Sequence, residues 1–129
     1  MVHILVIDDD PFILRMIDRM LTGNDRTITA AHSGPEGMES YRRSPSDLVI
    51  TDVAMPASAG LETIRGLRAL GPSLPILAIS GGGWLVAGSD LLDLACQAGA
   101  TAALAKPFTT DQLRDAVSLC LQLVKVGSA

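Results

Sequence analysis

Leu48-Val49-Ile50-Thr51-Asp52-Val53-Ala54-Met55-Pro56 is the stretch on which the reading of this chain turns. Its first four residues are apolar or β-branched, the composition of a strand buried on both faces. A carboxylate, Asp52, stands where that strand should end. Met55-Pro56 follows, and proline halts strand pairing because it lacks a backbone donor and fixes its own φ. In open α/β sheets, ligands bind beyond the carboxyl ends of the strands, so an acid at this point is placed for chemistry. Taken alone, such an acid serves more often as a turn or cap residue. The other strand ends decide its role.

Upstream, His3-Ile4-Leu5-Val6-Ile7 reads as a first buried strand ending in Asp8-Asp9-Asp10. Pro11 suits the first turn of a helix capped by Asp10, with Ile13, Met16, Ile17, Met20 and Leu21 at helical spacing and Gly23 as terminator. Residues 26–31 form a short second strand. Gly34-Pro35-Glu36 opens a second helix that runs through Met38 and Tyr41 to an exit at Arg42-Arg43-Ser44-Pro45. Downstream of the opening stretch, Ser58 or its neighbours cap a third helix. Its buried stripe is Leu61, Ile64, Leu67 and Leu70, and Gly71-Pro72 closes it.

Residues 74–80 form a fourth strand ending in a hydroxyl, Ser80, and Gly81-Gly82-Gly83-Trp84 follows. A fourth helix is expected from Asp90 to Ala98, capped by Ser89. Residues 101–105 make a small-residue fifth strand that ends at Lys106-Pro107-Phe108. Thr109 and Gln112 have capping-box spacing, and the last helix carries Leu113, Ala116, Val117, Cys120 and Val124. Five strands alternating with five helices imply a parallel sheet covered on both faces, because parallel neighbours need crossovers.

The 129 residues suffice for one domain, 1–129, with a core that needs no disulfide. Hydrophobic content of 48% points to a well-buried chain, and the net charge is −4. The ten basic residues are scattered without interleaved aromatics, which argues against a nucleic-acid surface. Cys96 and Cys120 lie in apolar helical patterns without ligand-like spacing to a histidine, so both read as core residues of a reducing compartment. The apolar run at the N-terminus breaks at Asp8 and has no basic flank, which argues against a signal peptide. No run is long enough to cross a bilayer, so a soluble cytoplasmic chain is expected. His3 and His32 read as a strand and a loop histidine, and Met16, Met20 and Met38 as helix-core residues.

Set side by side, the strand ends offer Asp8 and Asp9, then Asp52, Ser80 and Lys106, all on one edge of a parallel sheet. Each alone has a bland reading; together they make a site. Carboxylates gathered this closely repel by about 3–4 kcal/mol per pair at an effective dielectric near 20. A hard divalent cation relieves that repulsion, and Mg²⁺, with Mn²⁺ as substitute, takes one or two carboxylates plus a phosphate. Asp52 can then act as nucleophile, giving an aspartyl phosphate. Lys106 offers a point charge to the phosphoryl group and the Ser80 hydroxyl a hydrogen bond. Phosphoryl transfer is mostly positioning and charge neutralisation, so this kit is sufficient.

The constellation resembles the response-regulator receiver domain of two-component signalling. The matching pieces are Leu5-Val6-Ile7-Asp8-Asp9-Asp10-Pro11, Asp52-Val53-Ala54-Met55-Pro56 with Gly60, Ile79-Ser80, Gly99-Ala100 and Lys106-Pro107-Phe108. The resemblance implies a flavodoxin-like three-layer (βα)5 sandwich with strand order 2-1-3-4-5. It implies Asp52 as phosphoacceptor from a sensor histidine kinase or phosphotransfer protein. It also implies metal ligation by Asp9, Asp52 and the backbone carbonyl of Ala54, with Asp8 through water, and a cis Lys106-Pro107 bond. Receivers assist their own phosphorylation and dephosphorylation without being enzymes on an external substrate.

Two departures stand out. The family usually carries an aromatic residue three positions before the lysine, and here that position is Ala103. The segment after Ser80 is longer than usual and holds three glycines with Trp84; it reads either as Trp84, Leu85 and Val86 packing on the domain or as a substitute switch that presents an apolar contact to a partner. Ala54 and Gly82, at positions that influence hydrolysis in the family, are both small. The expected function is a stand-alone receiver, a monomer or weak homodimer, that signals by docking a downstream protein or by passing phosphate onward. Rival readings are a Mg²⁺-dependent phosphohydrolase with an aspartyl nucleophile, and an adaptor that keeps the fold but ignores phosphate.

Overall fold

Ten elements alternate strictly along the chain. They are β1 (Val2–Ile7), α1 (Pro11–Leu21), β2 (Arg26–Ala31), α2 (Gly34–Arg43), β3 (Leu48–Asp52), α3 (Ala57–Leu70), β4 (Ile76–Ser80), α4 (Ala87–Ala98), β5 (Ala102–Ala105) and α5 (Thr110–Ser128). The computed structural model describes residues 1–23, 25–53, 57–80 and 87–128, with side chains described for all of these except 57–58, 87–92 and 123–128. The strands form one sheet, every neighbouring pair parallel, in the order β2-β1-β3-β4-β5. This is the doubly wound arrangement that the alternation of elements required.

Strand periodicity divides the core in two. Ile4 and Val6 of β1 pack with Leu14, Ile17 and Leu21 of α1 and with Leu113, Val117 and Cys120 of α5. Leu5 and Ile7 face the other way, into a cluster with Ile64 and Leu67 of α3 and Ala95 of α4. The central strands β3 and β4 are buried along their whole length, as strands covered on both faces must be.

Capping groups fix where the helices begin. The Asp10 carboxylate accepts from the Phe12 amide at 2.9 Å, with Pro11 in the first turn. Ser33 Oγ accepts from the Glu36 amide at the start of α2. At α5 the expected capping box closes in both directions: the Thr109 amide donates to Gln112 Oε1 at 2.8 Å, and the Gln112 amide to Thr109 Oγ1 at 3.1 Å.

Several local expectations need correction. α4 begins at Ala87, so Ser89 lies inside the helix, and Ser58 likewise falls within the first turn of α3. A serine caps only where the residue before it stays outside the helix, and Ala57 and Gly88 both lie within theirs; the neighbour of Ser58 at the start of α3, Pro56, lies outside the described residues. Leu70 is 40% exposed. Steps of three residues fall about 60° short of a full helical turn, so a stripe built on them alone drifts off the buried face by its fourth member. Cys96 is exposed, while Cys120 is buried and its thiol is pushed up to about 11 by desolvation. Gly23 supplies no left-handed cap: α1 ends at Leu21 with Thr22 as C-cap, and among the described residues only Gly99 has a positive φ.

Candidate functional site

Register assembles the site. Ile7 lies opposite Thr51, so Asp8 and Asp52 come next, side by side; Asp52 lies opposite Ile79, and Ser80 opposite Ala105. Backbone bonds carry the ladder past the strand ends. The Asp8 amide donates to Ala31 O at 3.1 Å, the Val53 amide to Ile79 O at 2.9 Å and the Lys106 amide to Ser80 O at 2.8 Å. The strand ends that carry Asp8, Asp52, Ser80 and Lys106 therefore share one rim, as the parallel order demands.

Burial sorts these residues. Asp8 is fully buried, Asp52 is 5% exposed and Ser80 2%, whereas Asp9 is exposed. Lys106 reaches inward from the end of β5, and its Nζ stands 3.2 Å from Asp8 Oδ2 and 3.6 Å from Asp52 Oδ2. One carboxylate oxygen from each of Asp8, Asp9 and Asp52 lies within 4.8 Å of the others. Among the described residues this sets three acids beside one ammonium, an excess of two negative charges when all are ionised. An all-oxygen donor set with that deficit suits a hard divalent cation.

Asp8 shows the strain most directly. Burial raises its pKa above the ordinary value, and Asp52 adds to the rise; the Asp10 amide and Lys106 oppose it. Asp10 thus serves twice. Its amide donates to Asp8 Oδ1 at 2.9 Å while its carboxylate caps α1. The third acid of the Asp8-Asp9-Asp10 run is outside the cation cluster and holds the first acid in place.

α3 is pressed against the residue that follows the site. A Cβ on Gly60 would lie 2.6 Å from both Cα and O of Val53, so only glycine allows this approach. The Lys106–Pro107 peptide is cis. Ala103 is half-buried on β5 and packs against the α3–α4 cluster. Ala54, Gly81, Gly82, Gly83 and Trp84, which carry the expected carbonyl ligand and the glycine–tryptophan segment, lie outside the described residues. His32 is exposed beside Glu36, with Nδ1 3.5 Å from Oε1, and His3 Nε2 lies 2.8 Å from Thr29 Oγ1 across the β1–β2 pair. Neither histidine belongs to the acid cluster.

Sequence reasoning passed over Arg68. At the opposite end of the sheet its Nε and Nη2 donate to Gly99 O at 3.1 and 2.7 Å, and its Nη1 to Gly71 O and Pro72 O, each at 3.0 Å. Burial lowers its pKa from the ordinary guanidinium value. The available signal was an arginine in the last helical turn before Gly71-Pro72, where a cation can satisfy orphan carbonyls.

Known proteins fit this geometry. The family model described as the response regulator receiver domain matches residues 4–118. The chain is 36% identical over 128 residues to the response regulator MprA of Mycobacterium ulcerans, covering 97% of this chain and 52% of the relative. It is 30% identical over 120 residues to the transcriptional regulatory protein GlrR of Escherichia coli, covering 93% of this chain and 26% of the relative. It therefore spans about half the length of the first and a quarter of the second. The crystal structure of a response regulator receiver domain protein from Clostridium thermocellum superposes with a TM-score of 0.86 at 30% identity, covering 98% of both chains. The acid-lined rim, the 2-1-3-4-5 sheet and these likenesses agree, and the chain belongs to the response regulator receiver domain family.

Proposed function

We propose that Asp52 accepts a phosphoryl group from the phosphohistidine of a sensor histidine kinase or phosphotransfer protein. A carboxylate oxygen of Asp52 attacks phosphorus, the P–N bond breaks, and its electron pair returns to the histidine ring, leaving an aspartyl phosphate. Asp8, Asp9 and Asp52 would hold Mg²⁺, which when bound supplies charge compensation for the acids and for the phosphoryl oxygens. The Lys106 ammonium, already within reach of Asp52, pairs with the transferred group, and the Ser80 hydroxyl donates to one of its oxygens. The same pocket returns the group to water, so the label decays. Output is the docking of a downstream protein that tells the labelled form from the unlabelled one.

The observation that carries this reading is one lysine bridging two buried strand-end carboxylates at 3.2 and 3.6 Å. Incubation with Mg²⁺ and acetyl phosphate tests it. One hydroxylamine-sensitive phosphoryl group per chain is the expected result. Multiple turnover on phosphate esters without a label would instead make the protein a phosphohydrolase, and no reaction at all would leave a phosphate-independent adaptor.

A further inference from the structure

We propose that Arg68 is a remote positioning residue for Lys106 and acts through β5; this rests on the reading of Lys106 given above. β5 is the weakest strand of the sheet. It has four residues, Ala102-Ala103-Leu104-Ala105, none of them fully buried, and it lies at the sheet edge with a ladder on one side only. Strand register is normally pinned by cross-strand side-chain pairs, and three alanines supply little of that packing. Yet the next residue must hold its ammonium between two carboxylates.

The missing constraint stands at the other end of the strand. The Thr101 amide donates to Ile76 O at 2.7 Å, and Thr101 Oγ1 accepts from the Ile76 amide at 3.1 Å, a two-bond clasp between the starts of β4 and β5. Arg68 Nη2 reaches the same hydroxyl at 3.5 Å and binds Gly99 O with Nε and Nη2. Gly99 has a φ of 127°, and a Cβ there would meet Arg68 Cγ at 3.1 Å, so the turn into β5 is moulded to the arginine stem. The remaining Arg68 bonds tie this clasp to Gly71 and Pro72 at the end of α3.

An extended strand transmits such a constraint. Thr101 and Lys106 are about 16 Å apart at the usual rise per residue. A slip of one residue turns every side chain to the opposite face and would carry the ammonium away from the acids. The clasp at the base and the Lys106 N–H to Ser80 O bond at the rim bracket the short β4–β5 ladder and hold β5 in the register that delivers Lys106.

The test is a double-mutant cycle on the initial rate of Asp52 labelling by acetyl phosphate at saturating Mg²⁺. Lys106→Ala is expected to slow labelling. Arg68→Gln should slow it by about ten- to a hundredfold, the penalty for a charge misplaced by an ångström or so. In the Lys106→Ala background, Arg68→Gln should then cost nothing further, since there is no ammonium left to misplace. Thr101→Val keeps the side-chain shape and removes the hydroxyl, and it should show the same background dependence if Arg68→Gln does not fold. Equal slowing in both backgrounds, or none in either, overturns the positioning role while leaving Lys106 in place. A Lys106→Ala protein that labels at the wild-type rate overturns the reading of Lys106 and this inference with it.

Discussion

The two ends of the sheet solve opposite electrostatic problems. At the carboxyl rim, three acids face one ammonium, and burial has already pushed the Asp8 pKa up. At the base, a single guanidinium is ringed by the carbonyls of Gly71, Pro72 and Gly99 and by the Thr101 hydroxyl, all without formal charge. The rim is left in deficit and gains from a cation or a phosphoryl group. The base is complete as it stands. Charge deficit and charge satisfaction thus lie at opposite ends of the strand axis, in keeping with the rule that ligand sites in such sheets gather at the strand carboxyl ends.

Substitutions at the two ends should break in different ways. The largest effect is expected from Asp52→Asn, which removes the proposed nucleophile: labelling by acetyl phosphate should vanish while far-ultraviolet circular dichroism stays native, and a persistent label would move the acceptor elsewhere. Asp9→Ala is next. It deletes an exposed cluster acid and should weaken Mg²⁺ binding about ten- to a hundredfold, within the range set by metal-site substitutions; unchanged affinity in a calorimetric titration would remove Asp9 from the ligand set. Gly99→Ala acts at the base. It places a side chain at a φ of 127° against Arg68 and should cost about 1–3 kcal/mol in urea unfolding without altering Mg²⁺ affinity.

The smallest effect concerns pH. The folded pKa of Asp8 is raised, so the folded protein holds that proton where the unfolded chain has lost it. Stability linked to this group is therefore present in full below its ordinary value of 3.8 and falls as pH rises toward the elevated folded value. Urea melts of the metal-free protein should show wild type losing ground to Asp8→Asn as pH rises through that window. Saturating Mg²⁺, which favours the ionised acids, should narrow the gap. Parallel pH profiles for the two proteins would mean that the carboxyl titrates normally in the fold.

The rim was legible because its chemistry is carried by side chains at places that a sequence marks. Asp8, Asp52, Ser80 and Lys106 each follow an apolar run, and parallel topology leaves such ends only one edge to share. The base was not legible, because the partners of Arg68 are mainly backbone carbonyls, which every residue offers alike. Helix starts fell between these cases. Asp10 and Thr109 were identified as caps because a proline or a paired glutamine fixes the turn beside them. Ser58 and Ser89 carried the same chemical signal without such a lock, and the helices ran past them.

The contact between Gly60 and Val53 bears on how this chain can be altered. Position 60 is a spacer of zero thickness: adding even a methyl group would force α3 and the Val53 backbone apart. Because Asp52 immediately precedes Val53, that displacement would arrive at the buried Asp52 carboxylate without any charged residue having been touched. Redesign of the outer face of α3 is therefore free at Glu62 and Arg65, which are exposed, and forbidden at the neighbouring glycine.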